Sequence, residues 1–187
     1  DGTQIYRPRW SPDGSRIAFT IHRNHAVDIA VIGRDGGNLK YVVSSPGQDR
    51  DPAWTSDGKA IVFSSDVTGI PNLYAVSLDD GSVRRLTNVL GGAFSPDVSP
   101  ADTTVAFSYY GPDGYEIRLL PFSGGTPVDS ELFHLPAPEM QNADYTAFNA
   151  GMSKPYRMKT LAFQAMPRII NDRGCLKLGA YALKSEV

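Results

Sequence analysis

The chain has 187 residues, 41% of them hydrophobic and 20% charged, with a formal net charge of −2. That length supports one sizeable core, and the near balance of charge disfavours a nucleic-acid partner, which would want a basic face. The lone cysteine, Cys175, excludes an internal disulfide, and no apolar stretch approaches the ~20 residues of a membrane helix.

From the N-terminus, a first strand-like run surrounds Trp10 and ends in Ser11-Pro12-Asp13-Gly14. There Pro12 presets φ for a tight turn, Asp13 can bond its own backbone, and Gly14 tolerates positive φ. The triplet Ile17-Ala18-Phe19 follows, then a run from Asp28-Ile29 to Ile32, the turn Asp35-Gly36-Gly37, and Tyr41-Val42-Val43. This order recurs. Asp51-Pro52-Ala53-Trp54-Thr55-Ser56-Asp57-Gly58 repeats the first motif, and Ile61-Val62-Phe63, Asn72-Leu73, Asp79-Asp80-Gly81 and Arg85-Leu86-Thr87 repeat the rest. Pro8, Pro52 and Pro96 stand 44 residues apart. The third copy is decayed: Val98 replaces Trp, Ser99-Pro100-Ala101-Asp102 lacks the Asp-Gly pair, and Ser130-Glu131 falls where a fourth strand would repeat. Val105-Ala106-Phe107, Glu116-Ile117 and Ser123-Gly124-Gly125 keep the register.

A period of 44 with four short runs per unit is the signature of a β-propeller blade. The expected fold is therefore all-β: three four-stranded blades over residues 1–132, a partial propeller, then a linker over 133–155 and a β-hairpin-like tail over 156–187. The second run of each unit is apolar without alternation, as suits a strand buried on both faces. Trp10, Trp54 and the three phenylalanines read as core. Asp13 and Asp57 read as turn residues, since one aspartate per unit does not supply the dense oxygen ligands of a calcium loop.

The pattern Pro-x-Trp-Ser-Pro-Asp-Gly-x-x-Ile-Ala-Phe, with Asp/Asn-Ile/Leu, Gly and Leu-Thr after it, resembles the TolB-type β-propeller repeat over roughly residues 5–130. Such blades also occur in the propellers of prolyl-oligopeptidase-type and tricorn-like proteases. The resemblance implies a bacterial cell-envelope protein, periplasmic or associated with the outer membrane, that binds a protein partner. The rival reading is the regulatory propeller of a prolyl-oligopeptidase-type serine peptidase with its catalytic domain outside this chain. A third is a propeller that holds a small molecule or ion in its channel.

In the tail, runs at Thr160–Ile170 and Cys175–Leu183 flank the turn-like Asn171-Asp172-Arg173-Gly174. Runs of about ten residues suit either an amphipathic hairpin beside the propeller or the first hairpin of an outer-membrane barrel. Lys154-Pro155-Tyr156-Arg157 resembles a propeller-to-barrel junction. Three blades leave two faces and two sheet edges open, so further blades or a second copy are expected to close the ring. The start of the chain in mid-repeat favours further blades.

No catalytic constellation, cofactor motif or metal centre is read from the sequence. There is no Gly-x-Ser-x-Gly elbow, no phosphate or dinucleotide loop, and His22 and His25 would need a third ligand to hold a metal. The candidate partner-binding residues lie at the entrance to each blade's first strand, which lines a propeller's channel. They are Arg7, Asp51 and Ser95, one period apart, with Asp49, Arg50 and Phe94 beside them.

Overall fold

The computed structural model describes residues 3–136 in full and, as backbone, the strands Ala162–Asp172 and Cys175–Ser185. Blade one is a four-stranded antiparallel meander: β1 (Gln4–Trp10), β2 (Arg16–Arg23), β3 (Ala26–Gly33) and β4 (Lys40–Val43). Blade two repeats it with β5 (Asp49–Trp54), β6 (Ala60–Ser65), β7 (Asn72–Ser77) and β8 (Val83–Arg85). Blade three has β9 (Gly92–Val98), β10 (Thr104–Gly111) and β11 (Gly114–Pro121). The turns form as their residues dictate. Asp13 Oδ1 accepts from Ser11 Oγ at 2.6 Å and from Ser15 N at 3.0 Å, with Gly14 at φ 67°. Asp57 does the same for Thr55 and Lys59, with Gly58 at φ 67°. In unit three Asp102 occupies the glycine position at φ 52°, and its carboxylate reaches back to Ser56 N at 2.8 Å, tying blade three to blade two.

The core lies between sheets. One face of blade one (Ala18, Ile29, Val31) meets the opposite face of blade two (Trp54, Ile61, Phe63, Tyr74, Val76). The next layer repeats the arrangement, with Val62, Leu73 and Ala75 of blade two against Ala93, Val105 and Phe107 of blade three. Phe19, Phe63 and Phe107 are buried at equivalent positions, as the period requires. Trp54 is 9% exposed; its Nε1 donates to Arg9 O at 3.0 Å, and the Arg16 guanidinium lies over its ring at 4.8 Å. Trp10, expected in the core, is 61% exposed. Trp54 is covered by the blade before it, and among the described residues Trp10 has no such blade.

The expectation of three four-stranded blades is corrected at one point. β12 (Thr126–Pro127), where a fourth strand of blade three would begin, pairs instead with β8 as a fifth strand of blade two, Thr126 opposite Arg85 and Pro127 opposite Arg84. A 3-10 turn at Ser130–Phe133 follows, capped by Asp129, whose side chain accepts from Glu131 N. The chain then reaches blade one, where Ser44 N donates to Phe133 O at 2.8 Å and Leu135 N to Ser44 O at 3.0 Å. The cause is Phe133. At 1% exposure it fills the seam between blades one and two, its ring 5.9 Å from Phe63 and 5.0 Å from Tyr74. Burial of that ring favours the crossing.

In the tail, β13 (Ala162–Asp172) and β14 (Cys175–Ser185) form an antiparallel hairpin, Asp172 opposite Cys175. The linker of 133–155, from residue 137 on, and Lys154-Pro155-Tyr156-Arg157 lie outside the described residues. No helix among the described residues is long and apolar enough to cross a membrane, which says nothing of a β-barrel.

The two tryptophans should separate in a denaturant titration. Trp54→Ala is expected to lose about 3–5 kcal/mol, the usual cost of emptying a packed aromatic site, and Trp10→Ala less than about 1 kcal/mol. Equal losses would contradict the one-sided covering of blade one.

Candidate functional site

The innermost strand of every blade is broken by a bulge at one register position. The pairing of β1 with β2 slips between Tyr6 and Arg9, that of β5 with β6 between Arg50 and Ala53, and that of β9 with β10 between Ala106 and Ser108 of β10. The residues at the bulges are Arg7, Asp51 and Ser95, and all three have left-handed backbones, φ 51°, 58° and 47°. Each precedes a proline, whose ring already restricts the residue before it. A non-glycine residue at positive φ costs of order 1 kcal/mol, so a bulge kept in three blades is a built feature of the inner strands.

The bulges turn three side chains toward one another. Arg7 Nε lies 3.0 Å from Asp51 Oδ1. Asp51 Oδ2 accepts from Ser95 N at 3.2 Å and from Ser95 Oγ at 3.1 Å, while Asp51 N donates to Thr20 Oγ1 at 3.1 Å. One carboxylate thus joins all three blades, and with its side chain 12% exposed it is well placed to hold them. The Arg7 side chain stays 51% exposed. Two depressions flank the ladder. One, of about 350 Å³, includes Tyr6, Arg7, Thr20, His22, Arg50 and Asp51 in its lining, and the other, of about 480 Å³, includes Arg7, Arg9, Asp51, Ser95 and Asp97.

The structure sorts the six candidates. Arg7, Asp51 and Ser95 come together, and Arg50, held by Gln48 Oε1 at 2.7 Å, shares the first depression. Phe94 is half-buried and packs against Tyr115, ring centroids 6.3 Å apart, on the outward face of blade three. Asp49 is corrected: it is fully buried and offers no surface to a partner. The sequence reading missed Arg9 and Asp97, two periods apart in the second depression, because neither belongs to the blade motif.

Asp49 has another part. It accepts from Ser45 Oγ at 3.0 Å, and burial, with Asp28 as a further negative neighbour, pushes its carboxyl up to about 6. Asp28 is also buried and shifted upward, chiefly by desolvation. Asp28 Oδ1 and Asp49 Oδ2 have no hydrogen-bond partner among the described residues. In blade two the residue matching Asp28 is Asn72, whose Oδ1 accepts from Thr87 Oγ1 and Val89 N, both at 2.9 Å.

The TolB β-propeller domain model matches residues 2–125. The Tol-Pal system protein TolB of Bordetella pertussis is 38% identical over 122 residues, covering 41% of this chain and 28% of its own length. An uncharacterized protein of Agrobacterium fabrum is 29% identical over 124 residues, 62% of this chain and 42% of the relative. A solved TolB structure from Acinetobacter baumannii superposes with a TM-score of 0.55 at 26% identity, covering 65% of this chain and 31% of that one. The chain therefore spans less than half the length of these relatives.

The buried carboxyls set a pH dependence. Folding raises the Asp49 pKa from 3.8 to about 6, so the ionised group opposes folding fully above pH ~6, and the penalty vanishes as pH falls toward the unfolded value. Asp28 acts in the same direction. Asp49 alone is expected to raise stability by about 1 kcal/mol between pH 7 and pH 5, and Asp49→Asn should remove that part of the slope in urea titrations at the two pH values. Wild type losing stability over this window would contradict the assignment.

Proposed function

The chain belongs to the TolB β-propeller family, and on that premise we propose that it is a non-enzymatic protein-binding module of the bacterial cell envelope, working in the periplasm. The observation that carries the reading is the channel-side ladder. Three strained bulges, an interblade carboxylate and an exposed Arg7 head form a rigid polar surface with depressions on either side. Such a surface holds a partner's side chains without reorganising. The exposed Arg7 and the half-buried Arg50 act as the anchors, since arginine binds planar carboxylate or carbonyl groups through two donors. Asp51 and Ser95 position Arg7 and the inner strands. Likeness to a Tol-Pal system protein supports a Tol-Pal partner over the peptidase reading. In the same reading the outward faces of blades one and three are completed by further blades or by a second copy, and the β13–β14 hairpin is the start of an outer-membrane association.

Binding of the chain to purified Tol-Pal components of Bordetella pertussis, measured by biolayer interferometry, tests the proposal. Arg7→Ala with Arg50→Ala is expected to weaken the complex at least about tenfold, in the range of one lost anchor, while the chain stays folded by circular dichroism. Binding that ignores both substitutions would remove the ladder from the interface. Absence of binding to every component would remove the Tol-Pal assignment.

A further inference from the structure

Among the described residues β11 is the free edge of blade three, and its main chain alternates in a known sense. Phe122 N donates to Thr103 O at 3.0 Å, so the even residues of β11 bond inward to β10 and the odd residues Tyr115, Ile117 and Leu119 present N–H and C=O outward. In blade two the residue matching Ile117 is Leu73. Its N–H donates to Thr87 Oγ1 at 2.8 Å and its carbonyl accepts from Leu86 N at 2.7 Å. Blade three has no strand there among the described residues, because residues 126–127 lie on blade two. Tyr115, Ile117 and Leu119 are 70%, 74% and 70% exposed.

The sequence of this edge is self-complementary. Around Ile117 it reads Tyr115-Glu116-Ile117-Arg118-Leu119. A second copy laid antiparallel about a two-fold axis at Ile117 would face Ile117 with itself, Tyr115 with Leu119 and Glu116 with Arg118. The odd residues then exchange main-chain bonds, about six in all, while the even residues sit in the closer, non-hydrogen-bonded pairs where opposite charges meet best. Glu116 and Arg118 now serve one another within the strand, Arg118 Nε to Glu116 Oε1 at 2.7 Å, with Arg118 stacked over the Tyr109 ring at 3.6 Å. The stack holds the guanidinium at the edge, ready for a carboxylate across it.

We propose that the β11 edge is an isologous contact through which two copies of this chain pair strand to strand, forming one continuous sheet across the two third blades. The contact is independent of the channel face. Its area lies below the ~1,200 Å² of standard interfaces, so the dimer is weak and concentration-dependent.

Sedimentation equilibrium of the 187-residue chain, from about 1 to 200 μM to span a weak dimer, tests it. Wild type should show a monomer–dimer equilibrium. Glu116→Arg alone, or Arg118→Glu alone, places like charges opposite twice and should raise the dimer Kd at least about tenfold. The double variant Glu116→Arg/Arg118→Glu restores opposite charges and should return Kd to within about threefold of wild type, a rescue that a merely damaged strand would not give. A chain monomeric throughout, an association indifferent to the single reversals, or a double variant no better than the singles would each overturn the proposal. Association lost on Trp10→Lys but not on the charge reversals would assign pairing to the blade-one face and overturn it too.

Discussion

The burial of one sheet's face by the next sheet governs this molecule. Two of the three buried clusters lie between blades, and the third, Phe19, Ile21 and Ala30, lies within blade one. Ala18, Ile29 and Val31 are buried only because Trp54, Ile61 and Phe63 lie across from them, and Val62 and Leu73 only because Val105 and Phe107 do. The apolar period must therefore be kept from blade to blade, since a one-residue slip in any strand would turn its whole set away from the seam. This is the physical content of the 44-residue repeat. It also explains why Trp10 and Trp54, identical in motif, differ in exposure: at this position burial depends on the blade before.

Much of this was legible in the sequence, and for that reason. Phe19, Phe63 and Phe107 could be placed in equivalent buried positions from spacing alone, because spacing is what the seams select. The turns at Asp13 and Asp57 were legible because each needs only local chemistry. Phe133 was not. It lies outside any repeat, and its partners, Phe63 and Tyr74, are remote in sequence. Nothing local distinguishes it from a linker phenylalanine.

The candidate site divides along the same line. Arg7, Asp51 and Ser95 were legible as period-matched positions, while their left-handed backbones were not, since a bulge before proline leaves no mark that a regular strand start lacks. Asp49 was misplaced because a carboxylate beside a turn is usually solvated, whereas here it is buried and accepts from Ser45 Oγ. Blade two solves the position matching Asp28 with the neutral Asn72, fully hydrogen-bonded. Blade one keeps a charge there, at a cost that the deprotonated form bears alone.

Phe133 and the open edge of β11 are two consequences of one choice. The segment after Phe122 crosses to blade two instead of pairing with β11. Crossing places Val128 N on Val83 O at 3.1 Å, Ser130 Oγ on Val83 N at 3.0 Å and Phe133 in the first seam. The strap thus locks blades one and two, and among the described residues blade three lacks the strand that its siblings possess. Main-chain groups left at a sheet edge are the commonest route to unwanted pairing, and proteins guard them with charges. Glu116 and Arg118 are charges at that edge, but of opposite sign and symmetric about Ile117. Lysines at both positions would repel a second copy. Opposite a strand of a single sign this pair gains one attraction and loses it to one repulsion, whereas its own image gives two attractions, so the edge is selective rather than closed.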